Sequence, residues 1–265
     1  MKKARLDRLV VDRGLATRCS VAQGLIYAGE VFVDGVMVDQ AGAQVPIDAE
    51  ISLKTRPRFV GRGGEKLAAA LERFPVRIEG AVCADVGAAT GGFTDCLLQA
   101  GARKVYAIDV GYGELAWSLR QDERVVVMER VNARYLESLP EPVDLIVSDV
   151  SFISLRLIYT TAVGWLKPAG TVISLIKPQF EASAVQVAKG GVVRDALVHR
   201  QVLVAVIDTL AQLGLGLQGL MVSPLIGPAG NVEFLGWWRL GAAPVAHESA
   251  VDRALAEAAA LRTSG

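Results

Sequence analysis

The chain is short of the residues that build metal centres and covalent frameworks. Its 265 residues include three cysteines and two histidines. Cys19, Cys83 and Cys96 contain no C-x-x-C pair, and His199 and His247 form no cluster with them. This argues against a zinc site and a disulfide framework; no metal, reduced thiols and a cytoplasmic location are expected. An excess of one charge is missing too, since 28 Lys+Arg balance 28 Asp+Glu. Bulk charge therefore gives no pull on a polyanion. Long apolar runs are also lacking. The longest candidate, Val202–Val222, is broken by Asp208, Gln212, Gln218 and three glycines, short of the ~20 residues a membrane span requires. It reads as a buried helix followed by a strand, with no membrane partner. Met1-Lys2-Lys3 leads into Arg5, Asp7 and Arg8 instead of an apolar segment, so no signal peptide is expected.

What is present is a composition able to bury a large core. Hydrophobic residues make up 52%, and the length suits one or two domains. Charge is unevenly distributed: residues 1–66 carry 11 basic and 8 acidic side chains, and residues 67–265 carry 17 and 20. The N-terminal segment is the better candidate for a nucleic-acid face. There, Leu6, Leu9, Val10 and Leu15 recur at helical spacing up to Gly14. Ser20 reads as the N-cap of a second helix carrying Val21, Leu25 and Ile26 and ending at Gly29. Val31–Val33, Asp34-Gly35 and Val36–Val38 predict a hairpin, because Asp-Gly supplies the positive φ angles of a tight turn. Residues 1–54 thus form one small domain. Residues 55–64, with Pro57, Gly61, Gly63 and Gly64 among arginines, read as a linker.

Beyond it, over residues 65–241, short apolar runs alternate with helical stretches. The strands are predicted at Val82–Val86, Val105–Asp109, Val125–Met128, Leu145–Asp149 and Thr171–Ile176. Helices are predicted near Thr94–Ala100, Glu114–Arg120, Leu155–Trp165 and Leu197–Leu213. This is the pattern of an α/β fold with a parallel, doubly wound sheet. Leu217–Val222 and Glu233–Arg239 then follow without a helix between them. Their Pro/Gly-rich connection is too short for a crossover, so the seven-stranded sheet should end in an antiparallel hairpin. Residues 242–265 read as a tail.

Chemistry concentrates at the carboxyl edge of that sheet. The first strand enters Asp85-Val86-Gly87-Ala88-Ala89-Thr90-Gly91-Gly92-Phe93, a glycine-rich turn where a cofactor can lie on bare backbone. It is not the dinucleotide fingerprint, because position 89 is alanine. Asp109 ends the next strand, where a carboxylate can accept from both hydroxyls of a ribose. The pair suits a nucleoside cofactor without pyrophosphate, and S-adenosylmethionine is the leading candidate. Asp149 and Lys177 each follow a buried strand, and an ionisable group there must reach the same edge or lie unpaired in the core. Spacing alone does not place Lys66 or Glu233.

Longer motifs carry a resemblance. Arg5-Leu6-Asp7, Gly14-Leu15-Ala16, Leu25-Ile26, Gly29 and Val31–Val38 resemble the S-four-type RNA-binding module, named after a ribosomal protein. The remainder resembles an FtsJ-type, Rossmann-like class I methyltransferase. DVGAATGGFTD at 85–95, DVGYGELAWSLR at 109–120, DVSFISL at 149–155, IKPQFE at 176–181 and GPAGNVEF at 227–234 together resemble the TlyA (haemolysin A) family, over about Arg5 to Leu240. The resemblance implies S-adenosylmethionine-dependent 2′-O-methylation of cytidine in 16S and/or 23S ribosomal RNA, on 30S and/or 50S subunits. It implies a catalytic tetrad of Lys66, Asp149, Lys177 and Glu233. It places the cofactor on Asp85, Gly87, Ala88, Gly91, Gly92 and Phe93, with Asp109 on the ribose and Asn132 near the adenine. Lys2, Lys3, Arg5, Arg8, Arg13 and Arg18 would contact RNA phosphates. Pro57-Arg58-Phe59-Val60 stands where the family has a short interdomain motif, but its residues differ and no role is assigned. The tail, Gly241–Gly265, resembles the longer family form and leans towards modification of both subunits.

Lysine suits the chemistry only in its amine form, which ordinary lysine with pKa near ~10.4 adopts in fewer than about one molecule in a thousand at pH 7. A lysine base therefore depends on its surroundings, and Lys177 is the expected base. Two other classes compete: a non-catalytic RNA-binding assembly factor, and a membrane-active haemolysin. An intact cofactor turn with the full tetrad speaks against the first. The second needs a span or a basic amphipathic helix, which Val202–Val222 does not supply.

Overall fold

The computed structural model describes residues 2–54 and 57–263 and falls into two compact units, Met1–Pro57 and Arg58–Gly265. Thr55 and Arg56 of the expected linker, and Ser264 and Gly265 of the expected tail, lie outside the described residues.

In the first unit, strand β1 (Lys3–Arg5) leads into helices α1 (Leu6–Asp12) and α2 (Cys19–Tyr27). Strands β2 (Val31–Val33), β3 (Val36–Met37), β4 (Gln44–Pro46) and β5 (Ile51–Leu53) follow. The helices bury Leu6, Leu9, Val10, Ala22 and Ile26 against Val31, Val33 and Ile51. The Asp34-Gly35 turn closes the hairpin as expected, with Val33 opposite Val36 and both turn residues at positive φ. Helix α2 starts one residue before Ser20, with Arg18 in an extended conformation at the N-cap and no side-chain cap. Strands β1, β4 and β5 were not anticipated. Each has three residues, too few to leave an alternating pattern, and tertiary pairing alone fixes them.

The second unit starts with helix α3 (Gly63–Arg73). Then come β6 (Val82–Val86), α4 (Gly92–Gln99), β7 (Lys104–Asp109), α5 (Trp117–Arg120), β8 (Val125–Glu129) and β9 (Val143–Ser148). Next are α6 (Leu155–Ala162), β10 (Leu166–Ile176), α7 (Pro178–Glu181) and α8 (Ala196–Gln212). The chain ends in β11 (Leu215–Val222), β12 (Phe234–Leu240) and α9 (His247–Thr263). Seven strands form one sheet in the order β11-β12-β10-β9-β6-β7-β8. The β10-β9-β6-β7-β8 stretch is parallel, and β12 runs antiparallel to both neighbours, β10 and β11. The expected α/β architecture, with its terminal antiparallel hairpin, is present. The winding reverses between β6 and β9, and open sheets bind ligands at such a switch point.

Alternate residues on the central strands feed two cores. Val82, Ala84, Ile146, Val172 and Ile176 pack on one face with Ile158, Leu203 and Leu210. Cys83, Leu145, Val147, Ile173 and Leu175 pack on the other with Leu67, Leu97 and Leu98. The Val202–Val222 stretch divides as expected into the end of α8 and strand β11, and among the described residues no helix is long and apolar enough to cross a membrane.

Two segments differ from expectation. The stretch read as a linker is part of the second unit's core: Phe59 is buried, and Val60 donates its N–H to Asp95 Oδ2 at 2.8 Å. Its glycines serve close approach as well as turning. A Cβ on Gly64 would meet the Phe59 ring at 2.2 Å, and one on Gly92 would meet the Gly64 nitrogen at 2.8 Å. Helices α3 and α4 therefore start against one another. The stretch read as a tail forms α9, which buries Ala250, Val251, Ala254 and Ala258 in the first of the two cores. Alanine favours helix strongly but adds little to an apolar pattern, which hid this element. A charge at Val251 has no partner in that core. Val251→Asp should destabilise the protein by more than about 3 kcal/mol, read as a lowered urea midpoint against Glu248→Gln on the same helix.

Candidate active site

At the switch point, Gly87 follows β6 and Asp149 follows β9. Gly87 has φ +83°, and a Cβ there would lie 2.8 Å from the Asp149 carbonyl oxygen, so only glycine allows the two strand ends to come this close. Between them opens a cavity of about 490 Å³, within the size range of small-molecule sites. Gly87, Ala89, Asp109, Asn132, Asp149 and Phe152 are among its lining residues. A second cavity of about 190 Å³ shares Gly87, Ala89, Asp149 and Ser151 with the first and adds Ala88, Gly92, Phe93 and Lys177.

The four expected tetrad residues meet here. Lys177 Nζ stands 2.6 Å from Asp149 Oδ1 and donates to Ser151 Oγ at 2.8 Å. Lys66 Nζ lies 4.0 Å from Asp149 Oδ2 and 2.6 Å from Glu233 Oε2. The groups form a chain, Glu233–Lys66–Asp149–Lys177, with two ammoniums facing two carboxylates. Lys66 and Glu233 are buried, whereas Asp149 is partly open. A buried ion pair adds little net stability, but removing one partner strands a charge. The convergence depends on tight packing. Lys66 comes from the first turn of α3, fixed by the Gly64–Gly92 approach. Glu233 precedes β12, and Gly227 in the preceding loop makes room for it, since a Cβ there would lie 2.7 Å from Glu233 Oε1.

The expected cofactor residues divide into two groups. Gly87, Ala88, Gly92, Phe93, Asp109 and Asn132 line a cavity. Asp109 is pinned by the Ala89 N–H on Oδ2 (2.8 Å) and the Gly111 N–H on Oδ1 (2.7 Å), leaving each oxygen able to accept once more. Asn132 Oδ1 accepts the Arg134 N–H, so its amide N–H groups remain for a ligand. Asp85 and Gly91 lie behind the turn. Asp85 is completely buried and accepts from Thr94 Oγ1 at 2.7 Å, tying β6 to α4. Gly91 backs onto Leu115 and Leu119. Sequence reasoning assigned no role to Ser151, Phe152 or Glu114. Of these only Phe152 carries a conformational signature: it is 90% exposed with φ +62°, and its strain emerges only from the folded backbone.

In the N-terminal unit, Lys2, Lys3, Arg8 and Arg18 are exposed and form no ion pair with another described residue. Arg5 and Arg13 are already engaged. Arg5 forms two bonds with Asp7, at 3.1 and 2.7 Å, and the Arg5 guanidinium holds the Asp7 carboxyl down at about 2. Arg13 donates to the Ala49 and Ile47 carbonyls at 2.5 and 2.7 Å.

An FtsJ-like methyltransferase model matches residues 59–240, and an S4 domain model matches residues 4–51. The chain is 43% identical to the 16S/23S rRNA (cytidine-2′-O)-methyltransferase TlyA of Mycobacterium tuberculosis, over 97% of this chain and 98% of that one. The chain belongs to the TlyA family. It is also 41% identical to hemolysin A of Brachyspira hyodysenteriae, over 87% of this chain and 98% of the relative. A solved structure described as a "putative hemolysin" of Streptococcus thermophilus superposes with a TM-score of 0.74 at 38% identity, covering 99% of both chains.

In this TlyA-family methyltransferase the larger cavity is acidic. Asp109, Glu114 and Asp149 line it, and no lining residue is basic. A pyrophosphate would be repelled there, whereas a nucleoside carrying positive charge is attracted. The residues fit a cationic nucleoside cofactor.

Burial pushes Asp85 up to about 7, opposed by the Thr94 hydroxyl and reinforced by Asp149. An unfolded aspartate titrates near ~3.9. Between about pH 4 and pH 7 the folded protein keeps a proton that the unfolded chain has released, so Asp85 lowers stability as pH rises through this window. Asp85→Asn should abolish that decline. Urea midpoints of both proteins at about pH 5 and about pH 8 measure it, and equal slopes would acquit Asp85.

Proposed function

We propose that this chain transfers the methyl group of S-adenosylmethionine to the 2′-hydroxyl of a cytidine ribose in ribosomal RNA, on 30S subunits, 50S subunits or both, in the cytoplasm. The observation that carries the reading is the position of Lys177. It lines the smaller cavity, next to an acidic cleft suited to a cationic nucleoside, and Asp149 borders both. The name of the Mycobacterium tuberculosis relative supports the substrate, as does the S4 domain match.

Bound along the acidic cleft, S-adenosylmethionine supplies an electrophilic methyl group on its sulfonium. Asp109 and Asn132 would hold its nucleoside, and the backbone of Gly87 and Ala89 would lie against it. Lys177, paired as an ammonium with Asp149 at rest, must first release that proton. Its amine would then take the proton of the ribose hydroxyl as the oxygen accepts the methyl group and the thioether S-adenosylhomocysteine leaves, with Asp149 and Ser151 aiming Nζ. Lys66 faces the second oxygen of Asp149, and Glu233 neutralises Lys66, so one carboxylate need not balance two ammoniums unaided. Holding the hydroxyl in line with the methyl group contributes a large share of the acceleration. Lys2, Lys3, Arg8 and Arg18 are the charges free to meet RNA phosphates.

Incubation with labelled S-adenosylmethionine and unmodified small subunits, large subunits or naked RNA should place label on a cytidine ribose. Lys177→Ala should cut transfer by about 100-fold or more; near-normal transfer would remove Lys177 as the base. Absence of label on all three substrates, with RNA binding intact, would identify an assembly factor instead. Arg8→Glu/Arg18→Glu should weaken RNA binding at least about tenfold at moderate salt, while calorimetric cofactor affinity stays unchanged. Undiminished RNA affinity would move the RNA face elsewhere.

A further inference from the structure

Beneath the site lies a polar cluster that the proposed chemistry does not use. Ser148 on β9, Ser174 on β10 and Tyr159 on α6 are each 0% exposed. Ser148 Oγ donates to Ser174 Oγ at 2.8 Å, and the Tyr159 hydroxyl stands 2.5 Å from Ser174 Oγ and 3.1 Å from Ser148 Oγ. Three hydroxyls bring three donors. If Ser174 donates to Tyr159 and Tyr159 to Ser148, every edge of the triangle holds one proton and no donor is left over. Burial pushes the Tyr159 phenol up to about 12, against the two serine bonds, so it is a neutral donor at pH 7. The ring sits on the sheet face that otherwise packs Ile146, Val172, Ile158 and Ala162.

Stability does not account for it, because replacing all partners of a buried hydrogen bond by apolar groups of similar shape is nearly neutral. Its placement does. Ser148 immediately precedes Asp149 and is the register partner of Ser174, three residues before Lys177. Tyr159 belongs to the helix that terminates the loop bearing Ser151. The three linked segments are those that supply Asp149, Lys177 and Ser151 to one ammonium contact. A one-residue slip of β9 against β10 would move Asp149 by ~3.3 Å and turn its side chain to the other face. An apolar core resists such slips only by shape, whereas the ring closes in a single register.

We propose that the Ser148–Ser174–Tyr159 hydroxyl ring is a positioning element that fixes Asp149 and Ser151 against Lys177. The proposal rests on the reading of Lys177 as the proton acceptor. The layers stay joined without the ring, because Glu181 after Lys177 accepts from the Leu155 N–H and the Ser154 hydroxyl at the start of α6 (2.7 and 2.6 Å).

The test compares the full-length protein with Tyr159→Phe and with Ser148→Ala/Ser174→Ala/Tyr159→Phe. Measured are kcat and KM for methyl transfer, Tm, and the 13Cε resonance of Lys177 in lysine-labelled protein, assigned with Lys177→Arg. Both variants should fold, lose about tenfold or more in kcat, keep KM for the cofactor within about twofold, and show a displaced Lys177 resonance. An unmoved resonance, or wild-type kcat in the triple variant, would overturn the proposal, as would a kcat loss that merely follows a fall in Tm. If the wild-type protein itself transfers no methyl group, the functional reading fails, and the resonance still decides whether the ring positions Lys177.

Discussion

A single carboxylate placed between two ammonium groups is the constraint around which the second unit is arranged. Asp149 lies 2.6 Å from Lys177 and 4.0 Å from Lys66, and it also borders the acidic cleft. Two cations on one anion would be poorly balanced in a partly dehydrated site, and Glu233 restores neutrality by holding Lys66. The sheet order serves this arrangement. Reversal of winding between β6 and β9 creates the gap that Asp149 overlooks, and the insertion of β12 beside β10 brings Glu233 near Lys66. Binding and charge balance thus come from the same few strand ends.

The N-terminal unit divides its basic residues between structure and surface. Arg13 ties α1 to the 47–49 segment through backbone carbonyls, and Arg5 is matched by Asp7. A count of basic side chains overstates the charge available to a phosphate backbone, since an arginine already paired with a carboxylate contributes less to counterion release. The remaining exposed cations form a smaller set than the composition suggested.

The regular parts of the fold were legible from sequence for a physical reason. Buried parallel strands need apolar, largely β-branched runs, so β6–β10 announced themselves, as did the Asp34-Gly35 hairpin. Asp149 and Lys177 were legible as ionisable groups at the ends of buried strands. Lys66 and Glu233 were not. They reach the cluster through close approaches at Gly64, Gly92 and Gly227, and a glycine that makes room looks like a glycine that makes a turn. Resemblance to known motifs supplied what spacing could not. The missed helix α9 buries alanines four residues apart, a pattern invisible to any scale that ranks alanine as barely apolar. The resemblance assigned Asp85 to the cofactor motif; in the folded chain its carboxyl group accepts from Thr94 under the turn, a bond that the sequence did not announce.

The position of β12 has a consequence for how the molecule comes into being. It is the last strand made, and it lies between β10 and β11, both of which leave the ribosome earlier. The sheet therefore cannot close in the order of synthesis; a slot must wait for a latecomer, and non-local pairing of this sort folds slowly. Until it fills, Lys66 has no Glu233, and the charge cluster is incomplete. A fragment cut short before residue 233 would carry the cleft without its balanced charges.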